Sequence, residues 1–267
     1  ELRFQAVDMV YKGKDGHPGP ALSIADIVTV LYFDKMNIRP EDPNWEDRDR
    51  FVLSKGHSAP ALYAVLADKG YFPREELKNF RQLHSILQGH PDAKKCPGID
   101  ASTGSLGQGI SAAAGMALAG KIDNKDYRVY SLLGDGEIEE GQVWEAAMFA
   151  SHNNLDNLCL IVDFNGLQID GPVSEVAGPE PIDKKFEAFG FDVQTIDGHD
   201  FDAIEAAFAR AKTVKGKPSV IIAKTVKGKG VSYMENQVGW HGTAPNKEQY
   251  ETAMQELTAA LHELEGC

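Results

Sequence analysis

The sequence predicts an α/β protein built on a doubly wound parallel sheet. Three observations carry that expectation. Short apolar runs alternate with stretches of helical period along the chain. One supersecondary unit is clear: a strand over Tyr127 to Leu133, a tight Gly134-Asp135-Gly136 turn, a helix over Glu139 to His152, and a continuous apolar strand over Leu158 to Asp163. Strand, helix and strand at that spacing make a right-handed parallel crossover. No internal repeat or low-complexity linker interrupts the pattern, so residues 1–267 are assigned to one domain.

Helical periodicity opens over residues 2–12 and resumes over 21–34, where Leu22, Ile24, Ile27, Val28, Leu31 and Tyr32 share a broad apolar face. The Pro- and Asp-rich segment from Arg39 to Arg50 is a loop. Phe51-Val52-Leu53 is a short buried strand, and Ala59 to Lys69 is a helix stopped at Gly70. A helix over 74–82 follows Pro73, and Gly89 to Gly104 is loop. Leu106 to Lys121 is a small-residue helix suited to close packing. After the central crossover come a helix near 183–189, a strand at 191–196, a helix at 201–213 opened by Asp200, and a strand at 218–223. A polar-faced helix over about 247–264 ends the chain. In open parallel sheets ligands sit beyond the carboxyl ends of the strands. The loops after Leu53, Leu133, Asp163 and Ala223 therefore share one rim.

Charge and composition narrow the classes. Net charge is −13, with 40 acidic against 27 basic residues, which argues against a binder of nucleic acid or of an anionic membrane. Lys212 to Lys229 is locally basic and reads as a solvated rim around a strand, with a phosphate-facing role for part of it as the alternative. No run approaches the ~18 apolar residues of a membrane span, and Glu1 to Tyr11 has no signal-peptide core. Cys96, Cys159 and Cys267 show neither metal-ligand spacing nor an even framework, and fit a reduced, cytoplasmic compartment. Cys159, inside an apolar run, reads as a buried small hydrophobe.

The Gly-Asp-Gly turn is the first candidate site. Asp135 follows one strand and Asn165 follows the next, so both sit at carboxyl ends joined by one crossover. A carboxylate and an amide oxygen are hard ligands, of the kind Mg²⁺ accepts while keeping room for phosphate oxygens. The flanking Gly134 and Gly136 would let backbone N–H groups approach those phosphates. A lone Asp in such a turn is usually a turn residue; the run GDGEIEEGQVWEA, with IVDFNGLQIDG after it, is far more specific.

Of eight histidines, four lie in Gly-flanked loops: His17 in DGHPGP, His57 in SKGHSAP, His90 in QGHPD and His241 in GWHGTAP. Imidazoles titrate near neutrality and suit proton transfer, and a neighbouring glycine would let a ligand approach. His84 and His152, placed on helices, and His262 in the terminal helix read as structural or surface residues. His199 reads as turn chemistry ahead of the helix capped by Asp200.

The Asp135 and Asn165 stretches, the four histidine segments and TGSLGQG at 103–109 together resemble the transketolase family over essentially the whole chain. The resemblance implies a thiamine-diphosphate-binding (PP) domain. Asp135 and Asn165 would bind Mg²⁺ through side chains and Leu167 through its carbonyl, with Ca²⁺ or Mn²⁺ as possible substitutes. His57 and His241 would contact the diphosphate and neighbouring substrate groups, and His17 and His90 the sugar hydroxyls. Gly104 and Leu106 would line the pyrimidine side, with Gly136 at the diphosphate. Glu140 would relay to the partner's cofactor-activating Glu at the subunit interface, supported by Glu145. The sequence departs from the family at Lys14 and Pro20, which could modify the substrate entrance.

The implied activity is transfer of a two-carbon ketol unit from a ketose phosphate to an aldose phosphate. In the family, the activating Glu and most sugar-phosphate contacts come from pyrimidine-binding and C-terminal domains beyond this sequence. Two organisations follow: a split enzyme, an α₂β₂ heterotetramer completed by a second chain, or a piece of a longer chain. The self-contained last helix favours the first. Two further readings stand beside it: the related subunit of a 2-oxoacid dehydrogenase or deoxyxylulose-phosphate-synthase-like enzyme, and a non-catalytic cofactor-binding subunit. The GHPG, SKGH and GHPD contexts favour transketolase.

Overall fold

The structure, a computed structural model, describes residues 1–265, so Cys267 lies outside the described residues. In chain order the strands are β1 (Arg50–Leu53), β2 (Val129–Gly134), β3 (Leu158–Phe164), β4 (Leu167–Gln168), β5 (Gly171–Pro172), β6 (Asp192–Asp197) and β7 (Ser219–Lys224). Five of them form one parallel sheet ordered β1-β2-β3-β7-β6, and β4 with β5 makes a small antiparallel hairpin.

Alternation along the strands divides the interior in two. Phe51, Leu53, Tyr130, Leu132, Cys159, Ile161, Ile221 and Ala223 face one core. Val52, Val129, Leu133, Leu158, Leu160, Val162, Val220 and Ile222 face the other. Helices α1 (Leu2–Gly13), α2 (Pro18–Ser23), α3 (Ala25–Val30) and α4 (Ala59–Lys69) lie toward the first face. Helices α5 (Gly109–Ile122) and α6 (Gly141–His152) cover the second. A short α7 (Val173–Val176) follows the hairpin, α8 (Ile182–Ala188) joins the second face, and α9 (Phe201–Thr213) joins the first. Helix α10 (Lys247–Glu265) runs against α1. This is the doubly wound parallel sheet expected.

Local chemistry sets the ends as predicted in two cases. The Asp200 carboxylate caps α9 by accepting the N–H groups of Asp202 at 3.0 Å and Ala203 at 3.2 Å. Gly70, at φ 88°, stops α4.

Four helix predictions need correction. The helix expected over 21–34 is broken at Ile24 into α2 and α3, and continues as a π-turn over Leu31–Lys35. The Pro20 carbonyl is taken by the hydroxyls of Ser23 and Ser58, both at 3.0 Å, and by the Lys55 ammonium at 3.3 Å, which compete with the helical ladder there. That places Pro20 in the buried interior rather than at an entrance, while Lys14 is exposed. The helix expected over 74–82 is a 3₁₀ segment, Arg74–Asn79, and His84 stands in a turn at φ 68° instead of on a helix. Helix α5 starts at Gly109, leaving Leu106 in the preceding loop. Helix α6 starts at Gly141, with Glu140 as its exposed N-cap.

Helix α10 is less polar-faced than predicted. Tyr250 stacks on Tyr11 with ring centroids 3.9 Å apart and donates to Asp8 at 2.8 Å. Ala253 is buried with Val7, Leu22, Val231 and Met234 in a third small core. Cys159 is fully buried as expected, and Cys96 is nearly so. No described helix is long and apolar enough to cross a membrane.

Candidate cofactor and metal site

The connections leaving β3 and β7 run to opposite faces of the sheet, so the gap between these neighbours is the switch point where an open α/β sheet makes a crevice. The turn after β2 opens beside it.

Asp135, directly after β2, is buried. Its Oδ1 accepts the Gly136 N–H at 2.9 Å and its Oδ2 the Gly166 N–H at 2.5 Å, which fastens the turn after β2 to the turn after β3. Asn165 Oδ1 accepts the Leu167 N–H at 3.1 Å. The Leu167 carbonyl accepts from Lys227 Nζ at 3.0 Å. The three oxygens predicted as metal ligands thus belong to one linked set of turns.

Burial, followed by the neighbouring Asp163 carboxylate, pushes Asp135 up to about 7, the mark of a carboxylate short of positive charge. One carboxylate, one amide oxygen and one carbonyl leave about half of an octahedron for phosphate and water, which fits Mg²⁺. The Leu167 carbonyl already faces a cationic group. Among the described residues no cluster of three or more His, Cys, Asp or Glu side chains could hold a metal. A cation held here would rely on the single Asp135 carboxylate, two neutral oxygens and a ligand's own phosphates.

The N–H groups of the flanking glycines are not free to do what the sequence suggested. Gly136 donates to Asp135, and Gly134 donates to Glu137 Oε2 at 3.0 Å. Positive charge comes instead from Lys227, only 1% exposed, in the stretch read from sequence as a solvated rim. Lys227 Nζ lies 2.8 Å from His241 Nδ1. Burial, with Lys55 next, lowers Lys227 to about 8.

Behind these ligands Asp163 collects donors from across the fold. Its Oδ2 accepts from Ser23 at 2.7 Å, from the Asn165 amide at 2.9 Å, and from Lys55, while Oδ1 accepts from the Thr225 hydroxyl. Asp163 and Lys55 are 0% and 1% exposed, a fully buried ion pair. Burial opposes the charge on Asp163, but Lys55 and these hydrogen bonds outweigh it, holding the carboxyl below its usual range.

The four Gly-flanked histidines converge. His17 has ring centroids 5.3 Å from His57, 6.1 Å from His90 and 5.6 Å from His241, and His57 stacks on His241 at 5.1 Å. Burial, then Arg81 and His90, lowers His17 to about 4; burial, then Lys227 and His17, lowers His241 to about 3. Burial and Lys55 hold His57 well below the ordinary value, and burial and Arg81 lower His90. All four are neutral at pH 7, each with one donor and one acceptor nitrogen. His17 Nδ1 is buried with no hydrogen-bond partner among the described residues.

The adjoining glycines have a reason other than ligand access at two positions. A Cβ on Gly56 would sit 2.7 Å from the Gly104 nitrogen, and one on Gly89 would sit 2.5 Å from the Arg81 guanidinium. These glycines let protein segments pack. At Gly104 (φ 138°) a Cβ would meet the His90 ring at 3.0 Å, so the 103–109 loop lies directly against that imidazole. Leu106 is in the same loop, its carbonyl receiving Gln142 at 3.1 Å.

Glu140 and Glu145 are exposed and outside this cluster, although Glu140 adjoins Gly107. The acid that does enter is Glu137, unanticipated and buried. It accepts from Ser54 at 2.5 Å, the Gly107 N–H at 2.9 Å and the Gly134 N–H, and burial pushes its carboxyl up despite them. Lys55 and Asp163 were not singled out by the sequence, and Lys227 fell only within the phosphate-facing alternative for Lys212 to Lys229. Their shared signal is position: each lies at or just beyond the carboxyl end of a parallel strand.

His152 and His262 are exposed, as predicted. His199 does more than turn chemistry, bridging Asp26 at 2.7 Å and the Val226 N–H at 2.9 Å.

Residues 1–262 match the family model described as "Transketolase, thiamine diphosphate binding domain". A 6-deoxy-6-sulfo-D-fructose transketolase subunit of Clostridium sp. (strain MSTE9) is 49% identical over 256 residues, covering 96% of this chain and 93% of that one. An apulose-4-phosphate transketolase subunit of Phocaeicola vulgatus is 44% identical over 263 residues, covering 98% and 93%. The crystal structure of transketolase from Campylobacter jejuni superposes with a TM-score of 0.90 at 40% identity, covering 96% of this chain but 41% of that longer one. The chain belongs to the transketolase family, matching its thiamine-diphosphate-binding domain.

Proposed function

We propose that this chain binds thiamine diphosphate through Mg²⁺ and, completed by a second polypeptide, transfers a two-carbon ketol unit between sugars carrying an anionic group, from a ketose phosphate to an aldose phosphate. The observation that carries the reading is the meeting of Asp135, Asn165, the Leu167 carbonyl and Lys227 beside four neutral imidazoles.

Asp135, Asn165 and Leu167 would hold the cation, and Lys227, His57 and His241 the diphosphate, with Gly136 in the turn beneath it. Gly104 and Leu106 would line the pyrimidine. Thiamine diphosphate, when bound, supplies the carbon nucleophile that detaches the two-carbon unit. His17 and His90, kept neutral, can accept a hydroxyl proton at one nitrogen and donate from the other, while His241, whose Nδ1 faces the Lys227 ammonium, can donate from Nε2; together they would orient the sugar and move its protons.

A partner with the pyrimidine-binding and C-terminal domains, in an α₂β₂ assembly, is supported by two observations. The relatives matched along almost their full length are named as subunits, whereas the longer transketolase is matched over two fifths. Glu140 and Glu145 are exposed here, free to meet a neighbouring subunit, Glu140 as a proton relay and Glu145 beside it.

The test is calorimetric titration of thiamine diphosphate with Mg²⁺, followed by a ketol-transfer assay with and without the second subunit. The reading expects Mg²⁺-dependent binding that Asp135→Ala abolishes, and turnover only in the complex. There, His17→Ala or His90→Ala is expected to lower the rate by about 10²–10⁴. Unchanged binding by Asp135→Ala in excess Mg²⁺ overturns the site, and turnover by the lone chain overturns the need for a partner.

A further inference from the structure

His199 stands outside the histidine cluster, yet both its ring nitrogens are engaged. Nε2 lies 2.9 Å from the Val226 backbone N–H, which can only donate, so Nε2 is the unprotonated acceptor. The ring proton is then on Nδ1 and is donated to Asp26 Oδ2 at 2.7 Å. Asp26 is fixed in turn by Arg3, whose Nη1 and Nη2 reach its two oxygens at 2.9 and 2.5 Å. Burial works against charge on Asp26, but hydrogen bonds from His199 and Arg3 prevail and lower its pKa, keeping an anion to orient the imidazole.

The other end of this chain of bonds is the loop that presents Lys227. Thr225 N–H donates to the Phe164 carbonyl at 3.1 Å, Gly228 N–H to the Gly19 carbonyl at 3.0 Å, and Asn236 N–H to the Lys227 carbonyl at 2.9 Å. Val226 N–H, between the first two, is held by a side chain instead of by backbone. The turn bearing His199 approaches so closely that a Cβ on Gly198 would stand 2.5 Å from Thr225 Cγ2. His199 therefore acts one residue before the ammonium that reaches the Leu167 carbonyl and His241.

We infer that His199 is a positioning residue for the diphosphate: by accepting the Val226 N–H it sets the 225–228 loop and thereby the place of the Lys227 ammonium. The inference rests on the proposed reading of Lys227 as a diphosphate contact. It assigns the Asp26–His199 pair a role that touches no ligand.

Two near-isosteric variants separate the two nitrogens. His199→Asn keeps a donor near the Nδ1 position and drops the acceptor; His199→Gln places an oxygen near the Nε2 position and drops the Asp26 contact. Expected for His199→Asn is about tenfold weaker binding of thiamine diphosphate with Mg²⁺, the worth of one hydrogen bond, with His199→Gln within about threefold of the parent. Hydrogen exchange of the ligand-free chain is expected to quicken over 225–228 in His199→Asn alone, with α1 and α4 unchanged. Parent-like binding and exchange in His199→Asn overturn the inference. So do equal losses in both variants that track an equal fall in melting temperature, because those mean a general structural role. Should the parent chain itself fail to bind the cofactor, the functional reading falls, while the exchange comparison still decides the role of His199.

Discussion

The side-chain amide of Asn165 donates to Asp163 Oδ2 at 2.9 Å, which fixes which end of that amide is an oxygen facing the site. The same carboxylate oxygen neutralises the buried Lys55 ammonium. Replacing Asp163 with Asn keeps the shape and removes the charge. A buried ion pair stripped of one partner costs about 3–5 kcal/mol. Urea unfolding of Asp163→Asn is expected to show a loss of that order; a loss below about 1 kcal/mol refutes the pairing.

Lys227 and His241 are coupled at 2.8 Å, and Lys227 is the largest charge acting against protonation of that ring. Lys227→Met is expected to weaken thiamine diphosphate binding by about tenfold or more, as loss of a charged hydrogen bond does. It is also expected to raise the His241 pKa from about 3 toward the ordinary value, read by NMR of the imidazole carbon-bound protons. An unmoved His241 titration refutes the contact.

The approach of residue 56 to the 103–109 loop leaves no room for a methyl group, since the nearest atoms are backbone and the Thr103 hydroxyl at 2.7 Å. Gly56→Ala is expected to destabilise the chain by about 1–3 kcal/mol through overpacking. A thermal melt matching the parent to within a degree rejects that packing.

The histidine cluster makes stability depend on pH with a definite sign. An unfolded histidine titrates near 6.5, whereas burial and neighbouring positive groups hold His17 to about 4 and His241 to about 3. Between roughly pH 6.5 and 4 the unfolded chain binds more protons than the native one, so stability falls as pH drops through that window. Above it these two groups contribute no pH dependence. With allowance for their partial exposure, these two rings are expected to remove about 2 kcal/mol of unfolding free energy between pH 7.5 and pH 5, against the opposite contribution of Asp135, whose carboxyl, raised to about 7, adds stability as pH falls through the same window. The double substitution His17→Gln, His241→Gln is expected to remove the histidine contribution, shifting the difference in unfolding free energy between pH 5 and pH 7.5 by about 2 kcal/mol toward stability at pH 5, and an unchanged difference counts against the cluster.

The sheet was legible because its signals are local. Leu158 to Asp163 is a continuous apolar run, Asp200 is a cap, and a Gly-Asp-Gly turn ends β2. The histidines were legible as candidates from their loop contexts, but the carboxyl-end rule does not reach His17 or His90, which follow no sheet strand directly; the family resemblance brought them to the same site. The buried charges were not legible. Lys227 is one lysine among several in KTVKGKG, and burial is decided by Leu167 and His241, which sequence proximity does not reveal. Lys55 meets Asp163 across 108 positions. The break at Ile24 was hidden for a similar reason: the groups occupying the Pro20 carbonyl include Ser58 and Lys55, remote in the chain.

Glu137 accepts at one carboxylate from the loop holding Gly107, the turn after β2 and the segment after β1. Those three pieces would flank opposite ends of an elongated cofactor. Their separation is therefore fixed before anything binds, as the gauge of a jig is fixed before the workpiece arrives. A ligand of matching length meets a cradle whose loops need little ordering, so less of its contact energy is spent on immobilising the protein.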